Sequence, residues 1–199
     1  MWYRPLLFVV LLVTSLNNAV RVLAAPDPVF TPHLNQIQRS LPPKWVMRLP
    51  DKILLGGPAD EDFINQLNIK LFSSTSPPGL TIGLFSCDSG PHPCLVGSFS
   101  VEAPTSDNTQ REWKQHLAAA TPIELTQGVQ GYLLEGNFRQ PPSIFSSVMW
   151  QQDGLLYTVS FLLQERQNIL YMAHSMANSQ PIRSTLTPHH PSASWLNLN

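Results

Sequence analysis

The stretch Gln152–Leu163 constrains this chain most. Gln152-Asp153-Gly154 carries the Asp-Gly signal of a tight hairpin, and Leu155, Tyr157, Val159, Phe161 and Leu163 follow at every second position. A period of two places those five side chains on one face of a β-strand and does not fit the 3.6-residue period of a helix. Such a strand points its N–H and C=O groups sideways, so other segments must pair with it.

Candidate partners occur throughout the chain. Ile144–Gln151 forms the other arm of the Asp-Gly hairpin. Val129–Phe138 reads as a strand, with Gly131 as a bulge or close-approach point. Ile69–Phe72 and Leu80–Phe85 flank the turn residues Pro77-Pro78-Gly79, with Leu80, Ile82 and Leu84 sharing a face. Leu95–Val101 follows, with Leu95, Phe99 and Val101 on one side and Val96, Ser98 and Ser100 on the other. Trp45–Leu49 is a candidate first strand.

Three stretches between and after these strands have helical spacing. Ala59–Leu67 carries Asp60, Glu61 and Asp62 in its first turn, where acids suit the helix dipole. Residues 105–120 space Trp113, Leu117 and Ala120 along one face. Glu165–Asn178 presents Ile169, Met172, Ala173 and Met176 as an apolar stripe. The expected fold is α+β: an antiparallel sheet of about six to seven strands with helices on one face, closed by an amphipathic C-terminal helix.

The N-terminus decides the compartment. Arg4 precedes an apolar run from Pro5 to Leu16, and Val22-Leu23-Ala24 fits a cleavage signature, the layout of a secretory signal peptide cut after Ala24. The alternative is an uncleaved membrane anchor. A span needs about 20 apolar residues, and Asn17, Asn18 and Arg21 interrupt this run. The expected layout is a signal peptide over 1–24, a Pro-rich lead-in over 25–43, a single domain over 44–180 and a flexible tail over 181–199. Within the lead-in, Thr31-Pro32 can start a short helix bearing Leu34, Ile37 and Leu41.

Charge excludes some partners. Only 13% of residues are charged, and removing Arg4 and Arg21 with the leader takes the net charge from −1 to −3. That balance offers no basic footprint for nucleic acid and no polybasic patch for a membrane surface. Membrane contact is expected only through the N-terminal segment if it is retained.

Cys87 and Cys94 flank Asp-Ser-Gly-Pro-His-Pro. In an exported chain an even pair reads as a disulfide, here stapling the loop between two strands. Six intervening residues are too many for the usual redox pair, and adding His92 and Asp88 gives no standard tetrahedral metal spacing.

Other motifs carry little chemistry. Gly56-Gly57-Pro58 is followed by acids that would repel a phosphate, and those acids lack the spacing of a calcium loop. None of His33, His92, His116, His174, His189 and His190 forms a paired metal motif with a Glu. His174 sits beside Ser175 without a Gly-x-Ser-x-Gly elbow. No catalytic residue, metal ligand or cofactor is expected. The aromatic group Tyr132, Phe145, Trp150, Tyr157 and Phe161 lies on neighbouring strand candidates. It reads either as core packing or as the wall of an apolar pocket.

The stretch Val148–Ser160, with Trp150, Gly154 and Tyr157, precedes a helix carrying Met172-Ala173-His174-Ser175-Met176. It resembles the closing strand pair and helix of small extracytoplasmic domains found in bacterial lipoproteins and attached to anti-sigma factors. The Gln-rich, Lys-poor composition resembles that of cyanobacterial exported proteins. This resemblance implies sensing or binding rather than catalysis. The expected function is therefore an exported, non-catalytic binding or assembly-support protein of the periplasm or lumen, its partner an unidentified protein or an apolar small ligand. The alternatives are a membrane-anchored interaction or sensor domain, and an enzyme of unknown type.

Overall fold

The computed structural model describes residues 24–56, 61–88, 94–119 and 122–186. The expected leader, His92, the His189-His190 pair and the Gly57-Pro58 step lie outside the described residues.

The lead-in opens with a 3-10 turn, Pro28–His33, that runs directly into α1, Leu34–Ser40. Its cap is Asp27 rather than the expected Thr31. The Asp27 carboxylate accepts the Val29 N–H at 2.9 Å and the Ile53 N–H at 2.7 Å, so one buried acid fixes both the turn and a distant loop. Phe30, Ile37 and Leu41 are fully buried. The lead-in is thus a wall of the core.

The expected first strand shortens to β1, Val46–Met47, which does not join the main sheet. It pairs antiparallel with β9, Ile182–Arg183. Paired structure therefore continues past residue 180, where the sequence places the tail. Arg48 and Leu49 leave the strand for other partners: the Arg48 guanidinium donates to Asp153 and to the Ser179 carbonyl, and Leu49 is buried.

After α2, Glu61–Asn65, come β2, Asn68–Thr75, β3, Pro78–Phe85, and β4, Leu95–Glu102. Then follow α3, Asp107–Ala119, β5, Ile123–Thr126, and β6, Val129–Leu134. The chain closes with β7, Phe145–Gln152, β8, Leu155–Leu162, and α4, Arg166–Asn178. Strands β2 to β8 form one seven-stranded antiparallel sheet in the order β2-β3-β4-β8-β7-β6-β5. The fold is α+β, as expected from the strand pattern.

Two strand expectations change. The segment Ile123–Thr126, unassigned from sequence, is the edge strand β5. The strand from Val129 ends at Leu134 because Gly136–Phe138 turns into a 3-10 helix. Gly131 is a close-approach point: a Cβ there would lie 2.7 Å from the Leu125 side chain on the paired strand.

Helices cover both faces, not one. Ser147 and Val148 are consecutive in β7 and so point to opposite sides. Val148 belongs to the buried cluster with Ile169, Met172 and Met176 of α4, while Ser147 hydrogen-bonds to His116 of α3. The sheet splits the domain into an apolar layer under α4 and a more polar layer under α3. Helix α3 packs mainly on β6 and β7.

Candidate functional site

The end of the sheet where β4 starts and β8 ends holds an apolar groove of about 550 Å³. Antiparallel pairing brings the start of β4, the end of β8 and the start of β7 together there, as the register Gly97↔Phe161 and Phe145↔Leu162 shows. Leu95, Val96, Phe145 and Leu162 form the sheet side. Leu55 and Phe63 come from the segments around α2, and Ile144 closes one edge. The Leu163 N–H donates to the Ile144 carbonyl at 2.9 Å, which holds the rim in line with the sheet. Ile144 remains 63% exposed, a large apolar side chain kept at the mouth of a cavity.

Among the described residues, the groove lining includes one carboxylate. Glu165 ends the 3-10 turn Leu163–Glu165 after β8 and is 5% exposed. Its Oε2 accepts the Gly56 N–H and an Asn168 side-chain N–H, each at 2.7 Å. Gly56 has no Cβ, and a Cβ there would sit 3.4 Å from both carboxylate oxygens. The side chain is thus fixed at the groove wall by two neutral donors.

Cys87 and Cys94 form a disulfide with a Cα–Cα separation of 5.8 Å, and Cys94 lines the groove beside Ser86. Closing so short a loop contributes roughly 2–3 kcal/mol in the chain-entropy model. A disulfide is consistent with an oxidising compartment. Among the described residues, no helix is long and apolar enough to cross a membrane, and no group of three or more His, Cys, Asp or Glu could hold a metal ion.

The five aromatic residues singled out from sequence do not line one cavity. Trp150 and Tyr157 are cross-strand partners, fully buried and stacked at 5.4 Å between centroids. Their polar ends are satisfied internally: Trp150 Nε1–H donates to Gln152 Oε1, and the Tyr157 hydroxyl donates to the Val46 carbonyl. Phe161 packs edge-on against Phe99 in the same core. Tyr132 lies on the opposite face, edge-on to Trp113 at 5.3 Å, beside a smaller polar cleft. Phe145 lines the groove. The separation was legible: Phe145 and Trp150 are five residues apart on one strand, an odd number, so they face opposite ways. The remaining groove residues carried weaker signals, because Leu55, Phe63 and Leu162 meet only through the fold.

A second constellation was missed from sequence. His116 of α3 and Ser147 of β7 are both fully buried, with Nε2 and Oγ 2.9 Å apart. His116 Nδ1 lies 2.8 Å from the Glu112 carbonyl oxygen, which can only accept. Nδ1 therefore carries the proton, and Nε2 accepts from the Ser147 hydroxyl. Arg139 donates from Nη1 to Ser147 Oγ at 3.0 Å and from Nη2 to Glu112 Oε1 at 2.9 Å. Burial is the main cause holding the His116 pKa below its ordinary value, and the nearby Arg139 charge adds to it. A serine donating to a neutral histidine matches a nucleophile and its base. However, the adjacent cavity is lined by Arg139, Glu112 and Ser143, not by Ser147 or His116. With both hydroxyl roles of Ser147 filled, the ring of contacts acts as a clamp joining α3 to the sheet.

No family model matches this chain, and no curated protein and no solved structure matches it.

Proposed function

We propose that the domain is an exported, non-catalytic binding module whose groove at the end of β4, β7 and β8 takes up an apolar ligand. The observation that carries this reading is the groove itself: a concave, largely apolar surface with the partly exposed side chains of Ile144 and Phe63 in its lining, at the end of the sheet where β4 starts and β8 ends. The disulfide at its edge and the leader-like N-terminal sequence support action in an oxidising compartment. His116 and Ser147 are fully buried and neither lines the adjacent cavity, which favours binding over hydrolysis.

The test is titration of the full-length protein with N-phenyl-1-naphthylamine, an apolar dye that brightens out of water. Saturable binding is expected. Ile144→Asp should weaken it about tenfold, equivalent to about 1.4 kcal/mol, and Phe72→Ala, at an exposed apolar site elsewhere, should leave it unchanged. Absence of saturable binding, or equal effects of the two substitutions, would overturn the reading.

A further inference from the structure

We propose that the groove selects an apolar ligand bearing a primary ammonium head, with Glu165 as its counter-charge. The inference rests on the groove being a ligand site and adds the chemical class of the occupant. A carboxylate that is 5% exposed inside a largely apolar cavity is an unusual choice, because burying a charge without an opposite one is costly. Glu165 receives two hydrogen bonds, both from neutral groups, Gly56 N–H and Asn168 Nδ2–H. Among the described residues, the ion pairs are Arg48–Asp153, Lys52–Glu61, Arg139–Glu112 and Arg166–Glu135. None of them reaches Glu165, and Arg166, its neighbour in sequence, is committed to Glu135.

The arrangement discriminates among amphiphiles of equal chain length. Leu95, Phe145 and Leu162 offer apolar surface for an alkyl chain in the same groove that Glu165 lines, so a head group can be placed against the carboxylate. An ammonium there supplies the missing positive charge and donates to the carboxylate, a charge-assisted contact strengthened by the low local dielectric. A carboxylate head would meet like charge at the same place and is disfavoured, as fits a site that rejects by repulsion as well as by attraction. A hydroxyl head can donate but carries no charge, so it should rank between the two.

The experiment is displacement of N-phenyl-1-naphthylamine from the full-length protein by n-decylamine, n-decanol and n-decanoate. The expected order is amine, alcohol, carboxylate, with the amine at least about tenfold better than the carboxylate. Glu165→Gln keeps an acceptor oxygen for Gly56 and Asn168. With each competitor measured against the variant's own dye affinity, it should reduce the amine-to-carboxylate ratio to about unity. If that variant does not fold, salt decides on the wild type: raising ionic strength should erode the amine's advantage over the alcohol. Dye binding with no amine preference, or a preference that survives Glu165→Gln, overturns this inference and leaves the groove reading standing. Failure of the dye itself to bind removes both.

Discussion

The Tyr157 hydroxyl donates to the backbone carbonyl of Val46 over 3.0 Å, joining residues 111 positions apart. Tyr157 is at the centre of the main sheet, and Val46 belongs to the separate β1–β9 pair. The bond therefore docks the small sheet onto the large one, beside the Arg48–Asp153 ion pair that pins the same segment.

Tyr157→Phe keeps the ring stacked on Trp150 but leaves the buried Val46 carbonyl without this donor. A loss of about 1–2 kcal/mol in urea unfolding is expected. There is also an alkaline signature. Burial first, then the Asp153 charge, raise the Tyr157 phenol above its ordinary value. The unfolded chain thus ionises this group from about pH 10 upward while the folded chain does not. Stability falls as pH rises through that point, and it should fall less steeply in the Phe variant. Identical midpoints and slopes for the two proteins would refute this role.

His116 gives the opposite dependence. Its folded pKa is lowered, chiefly by burial, so the unfolded state takes up a proton first. The folded protein is favoured above the unfolded value of about 6.5. As pH falls below it, stability drops at up to about 1.4 kcal/mol per pH unit, until the folded pKa is reached. His116→Gln removes this component while leaving polar groups toward Ser147. Denaturation midpoints measured between pH 7.5 and 5, buffer values set at about those limits, should show a weaker acid dependence in the variant. An unchanged dependence would assign the acid response to other groups.

Gly97 of β4 lies under the Phe161 ring of β8, its cross-strand partner, so a Cβ at this position would overlap the ring. The ring is fully buried and packs edge-on against Phe99. Gly97→Ala should therefore destabilise the domain by about 1–3 kcal/mol through overpacking. Thermal unfolding checks it, and the double substitution Gly97→Ala with Phe161→Leu should recover part of the loss. Gly97→Ala with a wild-type midpoint would show that the ring gives way.

Local patterns in the chain announced most of the sheet. Period-two runs at Leu80–Leu84 and Leu155–Phe161 place apolar side chains on the buried face, and the apolar spacing of Ile169, Met172, Ala173 and Met176 marks the helix that covers it. The Asp-Gly turn behaves as its composition demands, with positive φ at both Asp153 and Gly154. The cysteine pair likewise reads correctly from spacing and context. These features depend on neighbours within one element, and periodicity records them.

Only the tertiary structure decided which face each helix takes, that β1 leaves the main sheet for β9, and what each aromatic residue packs against. Trp150, Tyr157 and Phe161 close into a solid core, Tyr132 turns to the other face, and Phe145 meets Leu55, Leu95 and Leu162 in a groove built from distant segments. The same holds for the His116–Ser147 clamp and for Glu165 at the groove wall. Their partners come from elements separated by long intervals of chain, and no periodicity within a single element encodes how two such intervals pack together.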